Sequence, residues 1–333
     1  MKIWIGIIAF LLVGLSLQNC GGDTKPQVKK ESKNIDSLLV RYPDSVPILI
    51  RHGQYYFEKY NFEKSMSSAA KAFRLDSNNI DARMLYADVL NNRSDRTIEE
   101  VMTAQRHFGY IIEKQPKNIR AMVSMASTFS LMQDFDRSFQ YINEALRINP
   151  KYRDAYILKG TNYLQMNKIP LAKSSYETAV QQDPEFYEAY VALGNLYQKE
   201  DNPICMEYYT TAASIAPKDL SVLYLEAYAY QYFGKTEEAL QKYRALYKLD
   251  DSFAMAQFQQ GFIKQFYQND IDSAMVFYDR ALLQEPRFVE AWHNLGMCYE
   301  EKNEVSKALQ SYSRALKYDP DFEKSREAAN KLK

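Results

Sequence analysis

Apolar positions recur every three or four residues through most of the chain, with polar and charged residues between them. The clearest example is the segment Val289–Phe322, in which Trp292, Leu295 and Tyr299 mark a first periodic stretch and a second stretch follows the polar residues Glu301–Glu304. Side chains spaced in this way lie on one face of a helix. The segment is therefore predicted to form two amphipathic helices joined by a turn.

Small residues occupy fixed positions within the same segment. Gly296, Ala308 and Ala315 lie where a large side chain would keep the two helices apart, and Pro320 ends the unit. Together with the aromatic positions they give the spacing W-x2-L-G-x2-Y, A-x3-aromatic, A, P of a unit about 34 residues long. The segment therefore resembles a tetratricopeptide repeat (TPR). A single unit of this kind cannot bury its apolar faces, so the resemblance implies neighbouring units.

Seven further segments between residues 46 and 288 carry the same pattern. The prolines that end the units are Pro116, Pro150, Pro184, Pro217, Pro286 and Pro320, at steps of 34, 34, 33, 69 and 34 residues. The step of 69 corresponds to two units, because Asp251 replaces the proline of the sixth. Repeat two carries a five-residue insertion, which we place at Asn91–Thr97. We therefore predict an all-α protein, a right-handed TPR solenoid of about eight helix–turn–helix repeats over residues 46–322.

The segments that flank the repeats are predicted to form a capping helix at each end and a tether before the first. An apolar-periodic stretch over residues 34–45 predicts an N-terminal cap helix, and the charged residues 323–333 predict a C-terminal capping helix that covers the last apolar face. Residues 20–33 are polar and rich in lysine, which predicts a flexible tether.

The N-terminus has the pattern of a targeting segment. After Lys2 the run Ile3–Leu17 is apolar, shorter than the roughly 20 residues of a membrane-spanning helix, and residues 1–19 fit a signal peptide. The motif Leu17-Gln18-Asn19-Cys20 resembles a bacterial lipobox, which implies lipid attachment at Cys20 and a location at the cell envelope, on the outer membrane. The alternative is an ordinary secretory signal with an incidental cysteine.

Charge and cysteine content narrow the possible functions. The chain has 42 basic and 42 acidic residues, a balance that gives no reason to expect a nucleic acid partner. Cys205 and Cys298 lie three repeats apart, too far for a disulfide between stacked repeats. We expect both to be small core residues with free thiols.

Residue patterns that carry catalysis are absent from the sequence. It contains no glycine-rich phosphate loop, no HExxH zinc motif and no GxSxG elbow. His52, His107 and His293 belong to repeats one, two and eight, too distant to share a metal. His293 beside Glu290 could form a proton-transfer pair, but a solvated helix face is the interpretation we favour. We predict no enzymatic activity, cofactor or metal site.

The resemblance implies that the first helices of the repeats line a concave groove, where partners bind. The predicted groove residues are Asn195 and Gln198 in repeat five, Tyr224, Tyr228, Gln231 and Tyr232 in repeat six, and Phe258, Phe262 and Phe266 in repeat seven. Aromatic rings supply contact area, and amides can bond the backbone of an extended peptide, a role in which Gln265 would join them. The tyrosines are expected to be surplus to packing, because Leu223, Ala227 and Tyr230 already supply a core.

The alignment of repeat seven allows two interpretations. If Gly261 is the small residue at the helix contact, the phenylalanines line the groove, but Gln257, Gln260 and Lys264 then take core positions that suit them poorly. A shift by one residue buries Phe258 and Phe262 instead. Both interpretations are open at this point.

The predicted function is a non-enzymatic scaffold that binds proteins or peptides in its groove while a lipid holds it at the bacterial envelope. The alternative is a glycan-binding surface lipoprotein, similar to starch-utilisation receptors that also contain TPR units. The lack of long insertions and of a groove tryptophan speaks against that alternative.

Overall fold

A computed structural model of the chain describes residues 26–332, and all regular structure in this range is helical. The predicted signal peptide and Cys20 lie outside these residues. The helices are α1 (Pro26–Arg41), α2 (Val46–Glu58), α3 (Phe62–Leu75), α4 (Ile80–Asn92), α5 (Ile98–Lys114), α6 (Ile119–Leu131), α7 (Phe135–Ile148), α8 (Arg153–Gln165), α9 (Ile169–Gln182), α10 (Tyr187–Lys199), α11 (Cys205–Ile215), α12 (Leu220–Tyr232), α13 (Thr236–Leu249), α14 (Ala254–Phe266), α15 (Ile271–Gln284), α16 (Val289–Glu301), α17 (Val305–Tyr318) and α18 (Glu323–Lys331).

The helices from α2 to α17 form eight antiparallel pairs, each a first and a second helix, as the sequence predicts. The chain divides into two compact units, with α1–α9 in unit 1, which ends at Asp183, and α10–α18 in unit 2, which begins at Pro184. The C-terminal helix α18 packs on α17 and buries Ser325 and Ala329. The all-helical fold predicted from the repeats is confirmed.

Two boundaries differ from the sequence prediction. Helix α1 begins at Pro26, so part of the segment 20–33 that we expected to be a tether is helical. The insertion in repeat two is divided: the turn has five residues, 93–97, and α5 has 17 residues where the other second helices have 14 or fewer. Thr97 and Glu100 form a capping box that starts this longer helix. The expectation that the whole insertion lies in the turn is therefore wrong.

Side-chain caps and left-handed turn residues set the helix ends. The side chains that accept a backbone N–H at a helix start belong to Asn61, Asn79, Thr97, Asn118, Asp134, Asp219 and Asp270. The residues with φ between 52° and 76°, in the turns between first and second helices, are Tyr60, Gln133, Asn167, Asp201, Gly234, Asn269 and Asn303. In every repeat except the second, one left-handed residue follows the first helix and lets the chain reverse.

A small residue on the first helix faces a buried aromatic ring on the second. A Cβ atom on Gly160, Gly194, Gly261 or Gly296 would lie 2.5–2.8 Å from a ring carbon of Tyr176, Tyr209, Tyr278 or Tyr312, respectively. Gly261 therefore occupies the small-residue position of repeat seven, and the alternative alignment, shifted by one residue, is wrong.

The glutamines that made this alignment doubtful are in the core. Gln257 and Gln260 are only 1% and 2% exposed. Gln260 Nε2 donates to the carbonyl of Ala256 at 3.1 Å, which satisfies one of its buried polar atoms within its own helix. Gln257 Oε1 has no partner among the described residues. Glutamine is thus tolerated at a core position because the helix backbone supplies part of its hydrogen bonding.

The two cysteines of the repeats are buried and free, as predicted. Burial raises the pKa of Cys205 to about 11 and that of Cys298 to about 12. Both therefore remain thiols at neutral pH, and the thiol form is a poor nucleophile.

Candidate functional site

Five aromatic side chains lie together on the first helices α12 and α14 of unit 2 and at the residue that follows α14. We call them the aromatic face: Tyr228, Tyr232, Phe262, Phe266 and Tyr267. Ring centroids are 6.4 Å apart for Tyr228 and Tyr232, 4.5 Å for Phe262 and Phe266, and 6.2 Å for Phe262 and Tyr267. Tyr232, Phe266 and Tyr267 are 48%, 44% and 48% exposed. These three rings are the most exposed of the five.

Tyr267 was missed by sequence reasoning. It follows the last residue of α14 and lies outside the i, i+4, i+8 stripe of phenylalanines. Tyr267 lies near the hydroxyl of Tyr228. The pKa of this hydroxyl is raised chiefly by burial and further by Tyr267. Two helices therefore contribute to one surface.

The first residue of each predicted stripe lies deeper than the others. Tyr224 is half-buried, with its ring 5.9 Å from that of Phe253 and 6.0 Å from that of Tyr243. Phe258 is likewise half-buried, 4.7 Å from the ring of Phe288. Four residues turn an α-helix by 400°, so each step moves the stripe about 40° around the axis. The expectation that all three tyrosines are surplus to packing is therefore wrong for Tyr224.

A chain of buried hydrogen bonds runs beneath the aromatic face. Tyr243 donates its hydroxyl proton to Gln231 Oε1 at 2.8 Å, Gln231 Nε2 donates to Gln259 Oε1 at 3.0 Å, and Gln259 Nε2 donates to the Tyr224 hydroxyl at 3.1 Å. Gln231 is only 4% exposed. This amide was predicted to border the groove, but the structure places it below the rings, where it joins α12, α13 and α14.

The other predicted amides have the same role in their repeats. The Tyr209 hydroxyl lies 2.7 Å from Asn195 Oδ1 and 2.8 Å from Gln198 Oε1, and it donates to one of them at a time. Tyr278 donates to Gln265 at 2.9 Å. Gln198, Gln231 and Gln265 each follow the small residue of their helix by four positions. The four-residue spacing in the sequence was the signal for this role, and the structure assigns these amides to holding core tyrosines.

Two hydroxyl protons remain available at the aromatic face, and a third, that of Tyr224, lies beneath it. Tyr228 and Tyr267 form no hydrogen bond with any residue in 26–332, and Tyr224 accepts from Gln259 but donates to no residue in this range. Burial raises the pKa of both Tyr224 and Tyr228, so the hydroxyls remain protonated at neutral pH. The aromatic face therefore combines apolar rings with hydrogen-bond donors.

Two first helices of unit 1, α4 and α6, contact each other through polar groups instead. Asp88 on α4 is buried and pairs with Arg120 on α6 at 2.5 Å, while Ser124 donates to it at 3.1 Å. Asn91 Nδ2 donates to the Ser127 hydroxyl at 3.2 Å. Burial raises the pKa of Asp88, although Arg120 opposes the shift. Helices α4 and α6 thus differ from α12 and α14, which carry the aromatic face.

Each histidine is packed against a different partner. His52 lies 3.0 Å from Asp36 and 2.8 Å from the Ser68 hydroxyl. His107 lies 3.0 Å from Arg83. His293 is half-buried beside the Tyr312 and Phe322 rings, with Nδ1 3.0 Å from the Ser325 hydroxyl. The expectation of a solvated face at His293 is wrong, because the capping helix α18 covers it. Within the described range, no group of three or more His, Cys, Asp or Glu side chains could hold a metal ion.

The buried histidines predict a loss of stability in mild acid. Burial lowers the pKa of both His107 and His293 to about 4, from an ordinary value of 6.5. Between these values the unfolded chain binds more protons than the folded protein, so the free energy of unfolding should fall as pH drops from about 6.5 towards 4. We expect the melting temperature to be lower at pH 5 than at pH 7.5, and the variant His107→Gln/His293→Gln to lose less on acidification. An equal loss in this variant would contradict the assignment.

No helix among residues 26–332 has the length and apolar character needed to cross a bilayer.

Comparisons with known proteins identify the same repeating helix pairs. Models of the tetratricopeptide repeat match residues 119–152, 157–202 and 289–322. The anaphase-promoting complex subunit 3 of Schizosaccharomyces pombe is 22% identical over 85% of this chain and 42% of its own length. The Hsp70-Hsp90 organizing protein 3 of Arabidopsis thaliana is 24% identical over 77% of this chain and 45% of its own. This chain therefore spans less than half the length of either relative.

Solved structures show the same fold at low sequence identity. The C-terminal part of a TPR repeat-containing protein from Cytophaga hutchinsonii has a TM-score of 0.59, with 17% identity, over 73% of this chain and 97% of its own. The APC/C hetero-tetramer Cut9–Hcn1 contains a chain with a TM-score of 0.53 and 14% identity, over 92% of this chain and 59% of that one. The described chain is thus all-helical, its fold is similar to these TPR solenoids, and family models identify tetratricopeptide repeats in three of its segments.

Proposed function

We propose that this protein is a non-enzymatic scaffold that binds a partner protein or peptide segment on the aromatic face of unit 2. The observation that carries the proposal is the exposure of Tyr232, Phe266 and Tyr267 next to the unused hydroxyl of Tyr228. Open aromatic surface with hydrogen-bond donors suits a peptide, whose side chains pack on the rings while its carbonyls accept from the hydroxyls.

The character of the relatives supports a scaffold. Two of them are named as a complex subunit and as an organizing protein, and both names describe proteins that assemble with others. The buried histidines and thiols of the described residues have pKa values shifted towards the neutral form, and each histidine is held by a structural neighbour. No observation favours the glycan-binding alternative over protein binding.

Site-specific photocrosslinking in the native cells tests where a partner lies. A photoreactive amino acid at position 232 or 266 should form a discrete adduct with a partner. The same amino acid at position 283 should not, because Leu283 is 78% exposed on the second helix α15 and does not belong to the aromatic face. Equal labelling from all three positions, or an adduct from position 283 alone, would contradict the proposed surface.

We further propose that a lipid on Cys20 holds the scaffold at the bacterial cell envelope, on the outer membrane. The support is the apolar run Ile3–Leu17 followed by the lipobox-like motif that ends at Cys20. Two or more acyl chains give a stable anchor, whereas one holds only weakly.

Metabolic labelling with a palmitate analogue tests the anchor. The wild-type protein should carry the label and fractionate with membranes, and Cys20→Ser should lose both properties. Cys205→Ser is the matched control, since this thiol is buried in the repeats and its loss should leave labelling unchanged. A secreted wild-type protein without label would contradict the anchor.

A further inference from the structure

Carboxylates lie at one edge of the aromatic face, near the points where first helices end and second helices begin. Tyr232 donates its hydroxyl proton to Asp201, which lies in the turn after α10. Gln268, next to Tyr267, donates to Glu237 at 2.7 Å. Gln265 donates to Glu301 at 3.4 Å. Repeats five, six and eight thus each hold one acidic side chain beside the face.

The donors to these carboxylates are neutral, so the negative charges are not compensated. Asp201, Glu237 and Glu301 form no ion pair with a cation in residues 26–332. Two lysines of the same edge are engaged elsewhere: Lys264 lies 3.6 Å from Asp270, and Lys302 pairs with Asp272. Lys199 and Lys235, two residues before Asp201 and Glu237, form no ion pair among residues 26–332. Three unpaired carboxylates thus stand against two unpaired lysines, which leaves the border of the face net negative.

The helix backbones add to this field. Tyr232 and Phe266 are the last residues of α12 and α14, and the C-terminal end of a helix carries a partial negative charge. Open aromatic rings attract cations as well, and the flat guanidinium of arginine can stack on a ring while it donates to a carboxylate. At Tyr232 the ring and the carboxylate of Asp201 are joined by a hydrogen bond, so one guanidinium can contact both.

We propose that the aromatic face recognises an extended, arginine-bearing peptide segment of the partner. The inference rests on the proposed function and adds the chemistry of the ligand. Arginine side chains stack on Tyr232 and Phe266 and pair with Asp201 and its neighbouring carboxylates, while the peptide carbonyls accept from Tyr228 and Tyr267. Anionic ligands such as nucleic acid or an acidic lipid surface are repelled by the same border.

Selection from a phage-displayed library of short random peptides tests the inference. Peptides retained by the protein but not by its Tyr228→Ala variant should be enriched in arginine and carry net positive charge. Retained peptides without such enrichment would overturn this inference and leave the proposed function standing. The absence of any peptide that depends on Tyr228 would overturn both.

A synthetic copy of a selected peptide then tests the contacts. Replacement of its arginines by glutamine should weaken binding about tenfold or more, and added salt should weaken binding of the parent peptide. Asp201→Asn should reduce affinity about two- to fivefold, the range of an exposed ion pair. Asparagine is well suited to the left-handed conformation of this residue (φ 55°), so the variant should fold normally. Glu285→Gln, in the loop after α15, is the matched control, and an equal effect of the two substitutions would overturn the proposed contact.

Discussion

Replacement of Gly194 by leucine should destabilise the protein by about 1–3 kcal/mol, the usual cost of inserting carbon atoms into a packed core. A Cβ atom at this position would lie 2.7 Å from Cε1 and 2.9 Å from Cδ1 of Tyr209, closer than side chains tolerate. The ring cannot retreat easily, because it is fully buried and its hydroxyl is held by Asn195 and Gln198. Chemical denaturation measured by circular dichroism gives the free energy of unfolding.

A second glycine provides a control, because its substitution should raise the free energy of unfolding instead of lowering it. A Cβ atom on Gly109, inside α5, would meet only Met125 Cε at an ordinary 3.6 Å. Gly109→Ala should therefore stabilise the protein by about 0.5–1 kcal/mol, because alanine is the better helix former.

Because each repeat contacts mainly its neighbours, Gly194→Leu should also make unfolding less cooperative. If Gly194→Leu has the same free energy of unfolding and the same cooperativity as the wild type, the close contact assigned between Gly194 and Tyr209 is wrong.

Much of the fold could be predicted because its repeating signals are local. Gly296, Ala308 and Pro320 mark a helix contact and a helix end by their own chemistry, and the same positions recur in the other units. The insertion in repeat two was located only approximately, since its length is fixed by sequence but its division between turn and helix depends on the Thr97 cap. The helical start at Pro26 had no periodic apolar signal, so residues 26–33 were predicted as a tether.

The candidate site was predicted less completely than the fold. The i, i+4 spacing correctly placed Tyr228 and Tyr232 together, and likewise Phe262 and Phe266. The spacing alone did not show that Gln231 lies beneath these rings, because its burial depends on the hydroxyl of Tyr243 and the amide of Gln259. Such contacts join residues from three helices, and a pattern along one helix contains no information about them.

Tyr228 is only partly buried, so a binding role and a packing role for it predict different losses of stability. Its ring lies between Tyr224 and Tyr232 on α12, at centroid distances of 6.0 and 6.4 Å, and its hydroxyl has no partner among the described residues. Tyr243 in the same repeat is completely buried. Truncation of Tyr243 to alanine should therefore cost several kcal/mol of folding free energy, about 3–5 for a buried aromatic residue, and truncation of Tyr228 should cost much less.

The most direct test of the central claim is the affinity of Tyr228→Ala for the crosslinked partner, measured by isothermal titration calorimetry together with its melting temperature. We predict a loss of about 1–2 kcal/mol of binding free energy, the effect of an interface hot spot, with a melting temperature close to that of the wild type. Tyr247→Ala, on the second helix α13, controls for the loss of a half-buried tyrosine and should bind normally. Unchanged partner affinity in a well-folded Tyr228→Ala variant would contradict a binding role for the aromatic face.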